Sequence, residues 1–160
     1  MDLILLRHGK AEDYHPDGDR ARALVDKGRR QAQHAANLLA QAGCLPDIVL
    51  TSPLVRARQT AGEFCETAGI PGPIIQDWLA CGFAPETALS ELTAFTASKG
   101  VMIVGHEPDF SLLIEHVLGV SGGSIDVKKG SLACVRLHPP SRRATLRFLI
   151  PPKLAAEPDF

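Results

Sequence analysis

The chain has 160 residues, the size of one domain with a core of its own. Apolar residues make up 45% and charged residues 22%, which excludes a largely disordered, collagen-like or coiled-coil chain. With 17 basic and 18 acidic side chains the net charge is −1, so no global field selects nucleic acid or an anionic membrane as partner.

Apolar runs alternate with longer stretches of helical period, the βα pattern of an α/β fold. Leu3 to Leu6 is an apolar block suited to a strand buried on both faces. It follows Asp2 and is cut short by Arg7, so it reads as neither a signal peptide nor a membrane span. Val25, Gly28, Ala32, Ala35, Leu39 and Ala42 recur in steps of three and four. They predict a helix with Asp26 serving its start and Gly43 its end. Asp47 to Thr51 reads as a second strand, and Leu54, Ala57, Ala61, Phe64 and Ala68 mark a second helix ending at Gly69. A short strand at Ile74-Ile75 and a helix from Pro85 to about Ser98 follow. Val101 to Val104 is the next strand, leading through Gly105-His106-Glu107-Pro108 into a helix that buries Phe110, Leu113, Ile114, Val117 and Leu118. Leu132–Leu137 and Ala144–Ile150 flank Pro139-Pro140-Ser141 as a hairpin that extends the sheet. Residues 1–150 are expected to form one domain, and 151–160 an extended surface tail with Phe160 a candidate to dock. Cys44, Cys65, Cys81 and Cys134 stand singly, which suits neither a disulfide framework nor a zinc site and points to reduced thiols in the cytoplasm.

In open α/β sheets, ligands bind beyond the carboxyl ends of the strands. Three strand exits carry chemistry here: Arg7-His8-Gly9, Ser52-Pro53 followed by Arg56 and Arg58, and Gly105-His106. If those strands run parallel, two histidines and at least two arginines gather at one edge. Such a group suits a phosphoryl dianion, because the planar guanidinium fork matches two phosphate oxygens. The helix N-terminus near Leu54 adds unpaired N–H groups, and Gly9 would let a ligand approach the backbone. An imidazole kept neutral by neighbouring positive charge is a competent nucleophile toward phosphorus. A metal on His8 and His106 would put a second cation beside Arg7 and Arg56 with no obvious third ligand. The sequence has no cysteine-phosphatase loop and no P-loop, and Ser52 lacks the G-x-S-x-G elbow.

Leu5-Leu6-Arg7-His8-Gly9 resembles the R-H-G signature of the histidine phosphatase superfamily, relatives of cofactor-dependent phosphoglycerate mutase. Ser52-Pro53-Leu54-Val55-Arg56-Ala57-Arg58-Gln59-Thr60 resembles its S-P-x-x-R-A-x-x-T segment, and Val104-Gly105-His106 its G-H segment. The motifs occur in the family order, and the short chain with Gly105-His106-Glu107-Pro108 looks most like the SixA-type phosphohistidine phosphatases. The resemblance implies a three-layer α/β/α sandwich with a mixed, mostly parallel sheet. It implies that His8 is the nucleophile, phosphorylated transiently and freed by water. Arg7, Arg56, His106 and Gly9 would line the phosphate pocket, with no metal and no organic cofactor. The implied partner is a phosphorylated protein, for which the family suggests a histidine phosphotransfer domain.

The departure concerns the general acid. Superfamily members often place a Glu or Asp after the third strand, where a gap-free match puts Trp78, and Asp77 fits only with a one-residue shift. Glu107 is a second candidate. A phosphomonoester leaves as an alkoxide that must be protonated, whereas phosphohistidine leaves as an imidazole of pKa ~6.5. The missing carboxylate therefore points to P–N rather than P–O bonds. Short spans between the motifs leave little room for a large lid, which predicts an open site. Two other readings stay open: a phosphatase for a small ester such as a sugar or nucleotide phosphate, and a non-catalytic phosphoprotein-binding module. Arg58 is either pocket rim or surface charge.

Overall fold

The computed structural model describes residues 1–155. Its strands are β1 (Asp2–Arg7), β2 (Ile48–Thr51), β3 (Ile74–Ile75), β4 (Gly100–Gly105), β5 (Leu132–Leu137) and β6 (Ala144–Ile150). They form one sheet in the order β3-β2-β4-β1-β5-β6. From β3 to β1 all neighbours pair in parallel, and β5 is antiparallel to β1 and β6. The mixed, mostly parallel sheet expected from the sequence is present.

Successive side chains of a strand point to opposite faces, so an unbroken apolar strand needs cover on both. Leu3 and Leu5 of β1, with Val101 and Ile103 of β4, enter one cluster, and Ile4, Leu6, Met102 and Val104 enter the other. Helices α1 (Asp26–Gln41) and α2 (Val55–Ala68) cover the second cluster through Ala35, Leu39, Ala57, Ala61 and Phe64. Helices α3 (Pro85–Leu92) and α4 (Asp109–Leu118) cover the first through Leu89, Leu92, Phe110, Leu113 and Ile114. The result is a three-layer α/β/α sandwich. Truncating a fully buried residue of the central layer, such as Leu5→Ala, costs about 2–5 kcal/mol.

Three element ends differ from the sequence reading. The helix from Pro85 stops at Leu92, and Thr93–Phe95 continues as a 3-10 turn. Thr93 and Thr96 hydroxyls bond back to the Ser90 and Thr93 carbonyls at 2.6 and 3.1 Å, competing with the helical backbone pattern. Asp26 makes no cap hydrogen bond; the extended Val25 caps α1, its own N–H donating to the Lys10 carbonyl at 3.1 Å. Pro152–Ala155 is one helical turn, α5, packed back on α1 rather than extended chain. Phe160 lies outside the described residues. All four cysteines are free, Cys65 and Cys134 buried and Cys44 and Cys81 exposed.

Candidate active site

Sheet register builds the site. Arg7 pairs with Gly105 and Thr51 with Val104, so the chain leaves β1, β2 and β4 at one level. The ladder runs one step further, with the His8 N–H donating to the Gly105 carbonyl and the Ser52 N–H to the Val104 carbonyl, both at 3.0 Å. The His8 and His106 rings then lie 5.3 Å apart between centroids. Arg56, in the first turn of α2, donates from Nε to His8 Nε2 at 3.3 Å. Arg7 donates from Nη1 to the Val127 carbonyl at 2.7 Å, and its charge acts on both rings.

These bonds fix the His8 tautomer. A guanidinium can only donate, so Nε2 accepts from Arg56 and carries the lone pair. Nδ1 then holds the proton and donates it to the Gly9 carbonyl at 2.8 Å. His106 Nε2 lies 2.7 Å from Ser52 Oγ, which also accepts the Leu54 N–H at 3.2 Å. Two buried polar atoms of the group, Arg7 Nε and His106 Nδ1, have no partner among the described residues.

Burial dominates the electrostatics. His8 is 5% and His106 2% exposed. Burial pushes the His8 pKa down to about 3, helped by His106, Arg56 and Arg7 and opposed by the Gly9 hydrogen bond. Burial, then Arg56, pushes His106 down to about 4. Both rings are neutral at pH 7, as a nucleophile requires.

Packing gives a second reason for Gly9 besides ligand access. A Cβ there would lie 2.4 Å from the Gly28 carbonyl oxygen, and one on Gly28 would lie 2.1 Å from the Lys10 carbonyl oxygen. The two glycines let the loop after β1 seat directly on the first turn of α1. Thr60 finishes the joint, its Oγ1 donating to the Arg56 carbonyl at 2.7 Å and accepting the Gly9 N–H at 3.1 Å.

Sequence reasoning missed Asp19. It sits in a 3-10 turn (Asp19–Ala21), and its carbonyl and carboxylate accept from Arg56 Nη1 and Nη2 at 2.8 and 3.1 Å. Arg22 reaches the same carboxylate at 2.7 Å. Nothing in the spacing around Asp19 distinguishes it from its acidic neighbours; only the loop's return through the Ala11–Leu24 bridge brings it back over α2. This short strap also makes the site less open than the motif spacing suggests, leaving Arg56 only 5% exposed.

The acid candidates fare differently. Asp77 is exposed in a 3-10 turn, and its carboxylate bonds to none of the group. Glu107 accepts the Ser111 N–H at 2.9 Å at the start of α4, and burial raises its pKa. Arg58 is exposed, with no bond to the group. Among the described residues, no cluster of three or more His, Cys, Asp or Glu is placed to hold a metal ion, and no helix is long and apolar enough to cross a membrane.

The model of the histidine phosphatase superfamily (branch 1) matches residues 3–79. An uncharacterized protein of Picosynechococcus sp. is 33% identical over 146 residues, covering 85% of each chain. The chain belongs to the histidine phosphatase superfamily. Among solved structures, protein histidine phosphatase SixA in complex with tungstate superposes with a TM-score of 0.87 at 23% identity, over 98% of this chain and 100% of that one. A candidate phosphohistidine phosphatase SixA from Agrobacterium tumefaciens gives 0.80 at 27% identity, over 94% of this chain and 97% of that one. The fold is thus that of the SixA-type members. Curated phosphoglycerate mutases match as well, one from Nocardia farcinica at 39% identity, but this match covers 48% of the phosphatase and 33% of the mutase.

Proposed function

We propose that this phosphatase removes the phosphoryl group from phosphohistidine on a protein through a phospho-His8 intermediate. The observation that carries the reading is the His8 ring itself, neutral, with its Nε2 lone pair facing the Arg56 guanidinium. A phosphoryl group entering between them has the nucleophile on one side and a fixed cation on the other. In the first step the His8 Nε2–P bond forms as the substrate P–N bond breaks, and the substrate imidazole leaves with the electron pair, neutral because its other ring nitrogen already carries a proton. In the second, water attacks phosphorus, the Nε2–P bond breaks, and phosphate departs.

Arg7, Arg56 and His106 hold the phosphoryl oxygens. An anion among them supplies a partner for Arg7 Nε and His106 Nδ1, and buried polar groups are almost always paired. Three features favour P–N over P–O cleavage. Asp77 makes no bond to the group, Glu107 accepts the Ser111 N–H at the start of α4, and an imidazole leaving group of pKa ~6.5 needs little help from an acid.

The test is incubation with a radiolabelled phosphohistidine peptide, followed by mapping of acid-labile, alkali-stable label. The expected result is label on His8 that clears with time. Ligand bound but never consumed would mark a binding module, and equal turnover of a sugar phosphate panel would mark an esterase.

A further inference from the structure

The chain has six lysines, and five of them, Lys10, Lys27, Lys128, Lys129 and Lys153, line one cavity of about 910 Å³. Arg7 lines it as well, so the cavity adjoins the proposed phosphoryl site. Among the described residues the only acidic one on its wall is Asp126, which pairs with Lys128 at 2.6 Å. This concentration stands out in a protein whose net charge is −1.

The walls are fixed. Gln31, 6% exposed, accepts the Lys10 N–H at 2.8 Å through Oε1 and reaches the Lys129 carbonyl through Nε2 at 3.5 Å. It thereby ties the loop after β1 to the loop before β5. The Gly130 N–H closes the same corner on the Arg7 and His8 carbonyls at 3.1 and 3.2 Å. Between the lysines the cavity presents Leu149, Pro151 and Leu154.

We propose that this cavity docks an acidic, partly apolar segment of the phosphoprotein, beside the phosphohistidine that enters the site. The inference rests on the proposed substrate class and narrows it. Exposed lysines around an apolar floor have the anatomy of a protein interface, with an apolar centre and a charged rim. A site for a small polyanion would instead converge buried N–H donors on one point. Lysines are flexible, hydrated point charges that recognise a carboxylate-rich surface without demanding one geometry. Their attraction falls as salt shortens the Debye length from about 10 Å at 0.1 M to about 3 Å at 1 M.

Two phosphohistidine peptides of equal length test this, one flanked by Glu, Asp and Leu and one by Ser and Gly, with phosphoramidate as the small substrate. The wild-type kcat/KM should favour the acidic peptide ~5–20-fold at low salt, as several exposed ion pairs allow. That preference should shrink to within ~2-fold in K27Q/K128Q/K129Q and in about 0.5 M salt. Phosphoramidate turnover should stay unchanged in the variant, which also reports that it folds. Equal use of both peptides by the wild type, or a preference that survives in the variant, overturns the docking inference alone. Relief in the variant of inhibition by inorganic tripolyphosphate, with no change in peptide preference, assigns the cavity to a small anion and overturns it too. Turnover of phosphoramidate but of neither peptide overturns the substrate reading and this inference with it.

Discussion

Two basic regions share Arg7 and differ in almost everything else. In the proposed phosphoryl site, His8, Arg56 and His106 are at most 5% exposed, and each is held by a hydrogen bond. In the neighbouring cavity all five lysines are exposed, and among the described residues only Lys128 has an ion pair. A fixed, dry charge costs no reorganisation when negative charge develops beside it, and one such donor is worth ~3–4 kcal/mol in a transition state. A wet, mobile charge is worth ~0.2–1 kcal/mol. The same sign of charge can therefore serve chemistry in one region and recognition in the other, with burial deciding which.

The sharpest way to break this contrast is His8→Asn. Turnover of a phosphohistidine peptide should fall by ~10⁴-fold or more, with no acid-labile label on the protein, because removing a nucleophile disables its partners as well. Arg56→Lys comes next. One ammonium cannot bond His8 and both Asp19 oxygens together, and we expect kcat to drop by ~10²–10³-fold. Wild-type-like kcat in that variant would mean that the fixed guanidinium is not needed.

The contrast also has a pH signature. His8 and His106 stay neutral down to pKa values of about 3 and about 4, whereas an unfolded histidine titrates near 6.5. Below pH 6.5 the unfolded chain binds protons that the native one refuses, so stability must fall with pH until the native pKa values are reached. Each ring should cost about 2 kcal/mol of unfolding free energy between pH 7 and pH 5. Urea titrations at the two pH values measure this, and His8→Asn should remove about half of the drop. An unchanged pH dependence in the variant would mean that His8 is not held neutral by burial.

Much of this was legible in the sequence, for a physical reason. Leu3 to Leu6 and Val101 to Val104 must be buried on both faces, which makes them central parallel strands and sends Arg7-His8 and Gly105-His106 to the same edge. Arg56 was legible because a helix start follows β2 directly. Asp19 and the lysine cavity were not, because both depend on where irregular loops return. Lys10 and Lys129 are 119 positions apart in sequence and meet only through Gln31. Gly9 was singled out for ligand access, yet its tight neighbour is Gly28, a contact that no local spacing reveals.

Gly28 is the position where the two regions can be broken together. Its missing Cβ faces the Lys10 carbonyl, one residue from Gly9 and at the rim of the lysine cavity. Gly28→Ala should destabilise the protein by ~1–3 kcal/mol through overpacking. It should also lower both phosphoramidate turnover and the acidic-peptide preference, since the loop that displaces Lys10 carries His8. A melting curve and the two-peptide assay on one sample check this. Loss of stability with both activities intact would mean that the loop shifts without moving either wall.

The smallest expected effect separates positioning from chemistry. Asp19 is largely exposed and touches no ring; it holds Arg56 and shares its carboxylate with Arg22. Asp19→Asn keeps the backbone carbonyl that accepts Arg56 Nη1, so one of the two holds survives. Losing one exposed ion pair corresponds to ~3–5-fold. The change should appear in kcat with KM nearly constant, because a guanidinium that wanders from His8 weakens the transition state more than it weakens docking at the lysines. Asp19→Glu should recover part of the loss, since the longer carboxylate can still reach Arg56. A deficit in Asp19→Asn as large as that of Arg56→Lys would instead place the carboxylate among the reacting groups. In that case the line between the dry site and its wet surroundings runs outside the strap, not beneath it.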